Sequence, residues 1–418
     1  MLKHNHATIG TASCVAIMMA GATTTAMAQT SSLEDIAKQA MATHPAVLAR
    51  QMSSQAAGAE LEGASWQRYP SPNVELNTDS NGVSTTLFRL QQPLWTGGRI
   101  TAGIDAAQSR QQASESAVKE AKQDLVLRVI AAFVEALRQR ARLEAVTQSV
   151  QQHESLLGMI TRRVDQEASP RVDLELAQSR LLQASNDLSS GLQAQRNALT
   201  QLSQLAGKPV RSVVFLEIDS LLGQQSIESL LEQAVAVSPT LRRLAQEIDA
   251  AQADVDLKRA SYKPQISLRL ENAHASASLN GIPAYSTNRL FLVAEFQPGA
   301  GLSAASGVAA AIARRDSARQ QRDTATRDLQ ERVSIDWEEL VAASQRLENA
   351  TLASKSSKEV YASYSRQYTT GRKTWLDVLN SVREFMQSDQ AVADSRAQAS
   401  GASLRLRLAT ANLKGLSE

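Results

Sequence analysis

The chain has 418 residues, of which 43% are hydrophobic but only 4% aromatic, and its formal net charge is +2. A charge this close to zero gives no argument for a nucleic-acid partner, and a composition rich in Ala, Gln, Ser, Leu and Arg favours long helices over a sandwich or a doubly wound sheet. Nowhere do about 18 consecutive apolar residues occur, so no helix is expected to span a membrane.

The first 28 residues have the pattern of a secretory signal peptide. Lys3 precedes a short apolar run at residues 12–21, and an A-x-A cleavage site ends at Ala28. The alternative is a disordered N-terminal tail on a cytosolic protein. Cys14 is the only cysteine and lies inside this segment, so the mature chain is expected to contain no thiol and no disulfide.

Residues 29–210 are predicted to form a first structural repeat that starts with a helix and a β-hairpin. Ser32 is the expected helix N-cap, and Pro45 is expected to end or kink the helix. An Asn-Gly turn at residues 81–82 separates two strand-like runs, and this pattern predicts a hairpin over about 73–92.

A very long helix is predicted after the hairpin. Helical character with heptad-like apolar spacing extends over residues 99–167, which corresponds to a coiled-coil-type helix of roughly 95 Å. Pro170 turns the chain in a tip at about 166–171. A returning helix is predicted for residues 172–205.

The same pattern starts again after a linker at residues 211–225. Ser226 matches Ser32 at an offset of 194 positions, and a proline 13 residues further on repeats Pro45 at the same offset. Residues 226–418 are therefore predicted to form a second structural repeat. Its elements are a helix, a hairpin at about 265–297, a long helix at 302–368, a tip at about 369–374 and a last helix at 375–413.

Four strands per chain raise the question of the edges of the sheet. A four-stranded sheet has two unpaired edges, and in a secreted protein without a spanning helix the solution in a membrane is a closed barrel. A single barrel needs about eight strands or more, so we expect three copies to build twelve strands around a lumen. Arg89 and Arg289 lie within strands and should then face the lumen. Aromatic residues flank the hairpins where a membrane-interface belt is expected, with packing at helix ends as the alternative: Trp66, Tyr69, Trp95 and Tyr262.

The order and the duplicated spacing of these features resemble the TolC-like outer-membrane efflux protein family over essentially the whole mature length. The resemblance is carried by the duplicated helix starts that end in proline, by QPLWTGGR at residues 92–99, and by LDVL at 376–379 after Gly371. It implies a mainly α fold with a small β part, in which long antiparallel coiled-coil-like helices form an α-barrel tunnel. Four transmembrane β-strands per chain would contribute to a trimeric twelve-stranded β-barrel.

The resemblance also implies a location and partners. The protein would be a multi-pass β-barrel of the cell outer membrane, in contact with outer-membrane lipid, with a tunnel extending into the periplasm. It would act as a homotrimer with a periplasmic adaptor and, through the adaptor, with an inner-membrane ABC or proton-driven pump. No cofactor, metal or nucleic acid is implied.

In that family the periplasmic end of the tunnel is closed by hydrogen bonds and salt links between helix tips. Carried over residue by residue, Asp173 and Tyr368 would form one link between helices, with Lys373 as a basic partner. Asp377 would belong to an acidic ring, which Asn380 weakens because an acidic residue is common at its position. The alternative is solvated charges at helix ends. The resemblance implies adaptor contacts at both tips: Gln166, Glu167, Ala168, Ser169, Pro170, Arg171, Thr370, Gly371, Arg372 and Lys373.

Other functions have less support in the sequence. His44, His153 and His274 are scattered without metal-ligand spacing, and no phosphate-binding loop or Gly-x-Ser-x-Gly motif is present, so an enzyme is not expected. The duplicated hairpins disfavour a periplasmic coiled-coil structural or adaptor protein. Among export ducts, we expect type I protein secretion rather than multidrug or small-molecule efflux, because QPGAGL at residues 297–302 resembles ducts that secrete large adhesins.

Overall fold

The computed structural model describes residues 32–78, 83–214, 222–275, 284–297 and 303–411. The predicted signal peptide and both Asn-Gly turns lie outside the described residues. Within these ranges the chain folds into eight α-helices and one four-stranded sheet. The helices are α1 (Leu33–Thr43), α2 (Pro45–Trp66), α3 (Arg99–Asp165), α4 (Arg171–Ala206), α5 (Ile227–Val237), α6 (Pro239–Ala260), α7 (Ala304–Thr369) and α8 (Trp375–Ala411). The strands are β1 (Ser71–Thr78), β2 (Ser84–Trp95), β3 (Gln265–Ala275) and β4 (Tyr285–Glu295).

Both halves of the chain begin with the same pair of short helices. The Ser32 side chain accepts a hydrogen bond from the Asp35 N–H at 3.2 Å and caps α1. The Ser226 side chain caps α5 in the same way, through the N–H three residues later, at 3.4 Å. A proline then occupies the first position of α2 and of α6. An N–H at this position has no acceptor within the helix, so the N–H that proline lacks is not needed. Pro45 therefore ends one helix and starts the next, as the sequence predicts.

Each half continues into a sheet hairpin and a long helical hairpin. Helix α3 has 67 residues and α7 has 66, so each is about 100 Å long. The returning helices α4 and α8 have 36 and 37 residues. These four predicted helices are confirmed, with ends that differ by one or two residues. None of the described helices is both long enough and apolar enough to cross a membrane.

The largest buried cluster lies where the open ends of the helical hairpins meet the short helices. Phe133 of α3 is 0% exposed and is surrounded by Ile36 of α1 and Leu202 of α4. Leu408 of α8 belongs to the same cluster, whereas another face of α8 packs with α5 and with Leu340 of α7. Burial of one such side chain contributes roughly 1.5–3 kcal/mol. Helix α8 therefore joins the cores of the two halves.

Helix α3 is the central element of the helical layer. It packs against α2 and α6 towards the sheet, where Arg243 of α6 bonds to Glu120 at 2.5 Å. It packs against α4 and α8 towards the tips, where Arg142 bonds to Asp394 of α8 at 2.7 Å. Helix α7 packs against α6 along one part of its length and against α8 along another. Helices α2 and α4 thus form one lateral edge of the layer and α7 forms the other.

The sheet has the order β1-β2-β3-β4, and every neighbouring pair is antiparallel. Both predicted hairpins are present and join into the expected four-stranded sheet through β2 and β3, a pairing that the sequence does not specify. Strand β2 reaches Trp95, three residues beyond the expected end of the hairpin. Pro93 lacks an N–H for the ladder, and the register shifts between Pro93 and Trp95, so the strand accommodates the proline. Strands β1 and β4 are the two edges.

One face of the sheet carries a row of charged residues. Arg89, Glu271 and Arg289 lie in register across β2, β3 and β4. The Arg89 Nε donates to Glu271 Oε1 at 3.0 Å, and an Arg269 guanidinium nitrogen lies 4.0 Å from the same oxygen. Arg89 and Arg289 therefore share one face, as a lumen-facing position for both requires.

The opposite face is mainly apolar. Leu90, Leu270 and Leu290 lie in register next to this row, each adjacent in sequence to one of its residues. Alternation along the strands turns their side chains away from the charged row. Large side chains of this face are exposed in the single chain: Val74, Leu76, Phe88, Leu268, Leu270, Leu290 and Leu292. The sheet thus has the two unlike faces that a membrane barrel requires.

A glycine allows the sheet and the helices to meet closely. Gly97 follows β2 with φ 61°, and a Cβ at this position would lie 2.5 Å from the Cβ of Lys263, which precedes β3. Any side chain would clash there, because the Lys263 Cβ is fixed to its backbone. This contact explains a glycine in the 92–99 segment, where the first repeat passes from strand to long helix.

Candidate functional site at the helix tips

The two helical hairpins end with the same backbone geometry. Glu167 follows α3 with φ 56° and Gly371 follows α7 with φ 74°, each at the second position beyond its helix. In both tips the next N–H bonds to the carbonyl five residues earlier, at 2.8 Å and 3.0 Å. This is a Schellman helix end. The sequence predicts both tips, but only Gly371 signals a positive φ, because a side chain such as that of Glu167 disfavours this backbone region by roughly 1–2 kcal/mol.

An aromatic cluster joins the tips. Tyr368 in the last turn of α7 and Trp375 at the start of α8 are buried, with ring centroids 5.4 Å apart. Ile160 of α3 and Ala177 of α4 belong to the same cluster. Because all four helices contribute to it, the two hairpins of one chain pack as one body at this end.

Polar groups of the first tip surround the Tyr368 ring. The Tyr368 hydroxyl lies 3.1 Å from the Ser169 hydroxyl, and the Arg163 Nε donates to Ser169 Oγ at 3.1 Å. The Arg163 guanidinium lies over the ring, 4.9 Å from its centroid. The expected partner Asp173 is half-buried in the first turn of α4, and in this chain Ser169 takes its place at the hydroxyl. The reason is that Ser169 in the tip loop turns inwards, towards the ring.

Asp377 is held by the start of its own helix. Its Oδ2 accepts hydrogen bonds from the Thr374 backbone N–H at 3.0 Å and from the Thr374 hydroxyl at 2.9 Å. The Thr374 Oγ1 accepts in return from the Asp377 N–H at 3.2 Å. These bonds form a capping box, and they hold the pKa of the Asp377 carboxyl below its ordinary value, with a smaller effect from Lys373. Asp377 therefore stays negatively charged at neutral pH.

The other two expected gate residues also have partners in their own hairpin. The Lys373 Nζ lies 4.1 Å from the centroid of the Tyr364 ring, which is a cation–π contact. The Asn380 Oδ1 accepts a hydrogen bond from Arg383. In this chain both residues are oriented by near neighbours, and their role in a gate stays a prediction.

The expected adaptor-contact residues form the exposed end of the molecule. Ser169 and Lys373 are half-buried, and the other eight residues of the set, at 166–168, 170–171 and 370–372, are exposed. The first tip carries the acidic Glu167 and the second the basic Arg372. Partner contact at these positions stays a prediction.

The four expected interface aromatics lie at the opposite end, around the base of the sheet. Trp66 and Tyr69 connect α2 to β1, and their ring centroids are 5.2 Å apart. Trp95 ends β2, and Tyr262 lies between α6 and β3. All four remain exposed in the single chain, so packing at helix ends does not bury them. A role at a membrane interface stays a prediction.

Comparison with protein families decides the assignment. The profile of the family described as outer membrane efflux protein matches residues 36–208 and 230–412, one match in each half of the chain. The chain belongs to the outer membrane efflux protein family.

Relatives and solved structures agree with this family. The cobalt-zinc-cadmium resistance protein CzcC of Cupriavidus metallidurans is 26% identical over 224 residues, which is 50% of this chain and 51% of CzcC. The chain thus spans about half the length of the curated relative that it matches. A membrane protein from Pseudomonas aeruginosa shares 19% identity with a TM-score of 0.78 over 92% of each chain. The outer membrane protein VceC of Vibrio cholerae shares 15% identity with a TM-score of 0.77, over 90% of this chain and 95% of VceC. These structures have the same fold.

Membership of the outer membrane efflux protein family confirms three predictions. The resemblance stated from the sequence is correct, the location is the outer membrane, and the fold is the repeated helical and β architecture of that family. The description of the family names outer membrane efflux, which is a transport function and not a catalytic one.

The sequence alone does not single out two residues of this outer membrane efflux protein site. Arg163 lies within the predicted long helix, and Trp375 lies at the start of the predicted last helix. A signal for Trp375 exists, because Tyr368 and Trp375 flank the Gly371 break and an aromatic pair around a turn can close on itself. Arg163 has no such signal, since its partners lie in the tip loop and in the other hairpin.

We expect Ser169 and Tyr368 of this efflux protein to be energetically coupled. Ser169→Ala and Tyr368→Phe each remove the same hydrogen bond, which contributes about 1 kcal/mol. Each change should lower the thermal unfolding midpoint of the helices in detergent, measured by circular dichroism. Ser169→Ala also removes the hydrogen bond from Arg163, so the double variant should lose little more than Ser169→Ala alone. As the control, the effects of Asp173→Ala and Tyr368→Phe should add. Full additivity for the serine pair would contradict the assignment.

Proposed function

We propose that the chain is the exit duct of a tripartite export system. Three copies close a twelve-stranded barrel in the outer membrane and continue as a helical tunnel in the periplasm. A periplasmic adaptor docks at the tips, and an inner-membrane pump loads the duct through the adaptor. Cargo then moves through the inside of the tunnel and the barrel, and it contacts neither the periplasm nor the lipid of the outer membrane.

The open sheet carries this proposal. Strands β1 and β4 have unpaired edges, and the all-antiparallel order places β1 of one copy antiparallel to β4 of the next. Three copies with four strands each can therefore close without a free edge. Leu290 and Leu292 of β4 are 66% and 71% exposed in the single chain. Lipid covers such side chains in a closed barrel, while the charged row faces the lumen.

The helical edges support the same assembly. Helices α2 and α4 form one lateral edge of the chain, and α7 forms the other along its whole length. A neighbouring copy can place its α7 against both α2 and α4, which continues the helical layer around an axis. Large exposed apolar residues lie on these edge helices, among them Leu48 and Met52 of α2, Leu182 of α4 and Leu352 of α7. The helices of three copies then enclose a tunnel in line with the barrel.

We expect a charge on the apolar face of the sheet to prevent membrane assembly. Leu290→Lys places an ammonium group against lipid, which costs roughly 2–4 kcal/mol at mid-membrane depth. Thr287→Lys is the matched control, because Thr287 lies on the same strand but on the charged face. The expected result is loss of the oligomer from outer-membrane fractions for Leu290→Lys only, measured by gel mobility without heating. Equal oligomer yields would contradict the assignment of the faces.

The tips provide a gate at the periplasmic end. The aromatic cluster and the Ser169–Tyr368 hydrogen bond hold both hairpins of one chain together. Opening therefore requires loosening of these links within each chain as well as movement of the tips against those of neighbouring copies. Asp377 contributes a fixed negative charge to the narrowest part, with Asp173, Lys373 and Asn380 around it. Exposed charge pairs contribute about 0–1 kcal/mol each, and such weak links suit a gate that a partner must open.

Loosening the tips should widen the channel. The double variant Asp173→Ala with Tyr368→Phe, and likewise Ser169→Ala with Tyr368→Phe, should raise single-channel conductance in planar bilayers. Ser185→Ala is the control, because its hydroxyl bonds within α4 to the Leu181 carbonyl at 2.9 Å, away from the tips. Conductance equal to that of the control in both double variants would refute the gate.

Efflux of small cargo is the use of the duct that we favour. The matched relative CzcC is named for cobalt, zinc and cadmium resistance, which makes divalent metal cations the first candidate. Asp377 agrees with this choice, because a ring of charged carboxylates at an entrance attracts cations.

Type I protein secretion is the second candidate. Its support is the QPGAGL sequence at residues 297–302, of which residues 298–302 lie outside the described part of the chain. A duct can also serve more than one pump, so the two cargo classes are compatible in one protein.

A deletion strain separates the cargo classes. For efflux, we expect inhibitory concentrations of cobalt, zinc, cadmium or lipophilic drugs to fall several-fold and the set of secreted proteins to stay constant. Secretion instead predicts loss of a large secreted protein at unchanged resistance. Complementation with Thr287→Lys should restore the lost phenotype, whereas Leu290→Lys should not. A deletion strain with neither phenotype would contradict an export duct.

A further inference from the structure

A cavity with both polar and apolar lining lies above the tips, between the two hairpins of one chain. It has a volume of about 240 Å³, with α3 as its floor and α4 and α8 as its walls. Ser149 and His153 come from α3, Arg180 and Asp187 from α4, and Arg383 from α8. Since one chain supplies every wall, the cavity does not depend on assembly of the trimer or on the nature of the cargo.

The cavity carries an excess of positive charge. Arg180 donates to the Gln183 Oε1 at 3.0 Å, and Arg383 donates to Asn380, so each guanidinium is bonded to a neutral amide of its own helix. Neither arginine has an ion pair within the described residues. Asp187 is the one carboxylate among the residues that line the cavity. Two cations from opposite walls thus face one anion.

An unused donor lies at the floor. Ser149 is 1% exposed, and its hydroxyl has no hydrogen-bond partner in the described structure, although the side chain lines the cavity. A buried hydroxyl without a partner costs roughly 1–3 kcal/mol. A ligand with an acceptor oxygen in the cavity would satisfy it.

We propose that this cavity binds a small multivalent oxyanion, such as a sulfate, a phosphate or a di- or tricarboxylate. Arg180 and Arg383 would bind its oxygens from the two walls, and Ser149 would donate from the floor. Guanidinium groups are well suited to oxyanions, because their planar N–H groups match pairs of oxygens. The bound anion would link α4 of the first hairpin to α8 of the second.

His153 makes the binding dependent on pH. Burial lowers the pKa of its imidazole, and the charge of Arg180 lowers it further, so the ring is neutral near pH 7. The charged groups that face it are Arg180 and Asp187 from α4 and Arg383 from α8. An anion next to the ring favours its protonated form and raises the pKa. Binding is therefore coupled to proton uptake, and the affinity rises as the pH falls.

Sulfate is the probe that tests this inference, because it remains a dianion between pH 6 and pH 8. Titration calorimetry of the detergent-purified protein at constant ionic strength should show one sulfate per chain, with tighter binding at pH 6 than at pH 8. Repeating the titration in buffers of different ionisation enthalpy should show proton uptake. His153→Asn should abolish the uptake while sulfate still binds.

Variants of the walls provide matched controls. Arg180→Gln and Arg383→Gln should each weaken sulfate binding by roughly fivefold or more, and Asp187→Asn should strengthen it. Arg196→Gln is the control, because Arg196 is an exposed arginine of α4 outside the cavity. The inference is overturned if the wild type binds no sulfate at pH 6. It is also overturned if both wall variants match Arg196→Gln, or if His153→Asn keeps the full proton uptake.

Discussion

Burial of one face of α3 is the interaction on which the rest of the molecule depends. The segment around Phe133 is covered by α1, α4 and α8, and the neighbouring segments of the same helix carry α2 and α6. Most of the stability of a helix in a protein comes from packing of its apolar face, and α3 has 67 residues along which such packing can occur. The hairpin tips and the sheet are held at opposite ends of this one element. Their distance and mutual orientation therefore follow from the packing of α3.

The sequence predicts local features of this fold well. Ser32, Ser226 and Pro45 set helix starts through capping and through the missing N–H of proline, and both effects act within a few residues. The long helices follow from their periodicity. Contacts between distant segments are different in kind. The pairing of β2 with β3 joins strands about 180 positions apart, and the sequence of neither strand indicates which strand it pairs with.

The candidate site shows the same division. Gly371 indicates a helix end in the sequence, because glycine adopts a positive φ without strain. Glu167 adopts a positive φ only because the Schellman hydrogen bonds hold it there. The family resemblance implies a link between Tyr368 and Asp173, whereas the structure pairs the Tyr368 hydroxyl with Ser169. A one-turn difference of this kind depends on the path of the tip loop, which capping and periodicity do not determine.

The unpaired edges of the sheet have a consequence for biogenesis. A newly exported chain can complete its helical cores alone, since the clusters around Phe133 and Leu340 lie within one copy. The edge strands β1 and β4 cannot complete their backbone hydrogen bonds in a single copy, so they can pair with any other strand. The apolar face of the sheet also leaves leucines exposed. Helix formation should therefore precede the proposed trimerisation, and sheet closure should coincide with entry into the bilayer. A lone copy in the periplasm is prone to aggregate, so its lifetime there must be short or a chaperone must shield its strands.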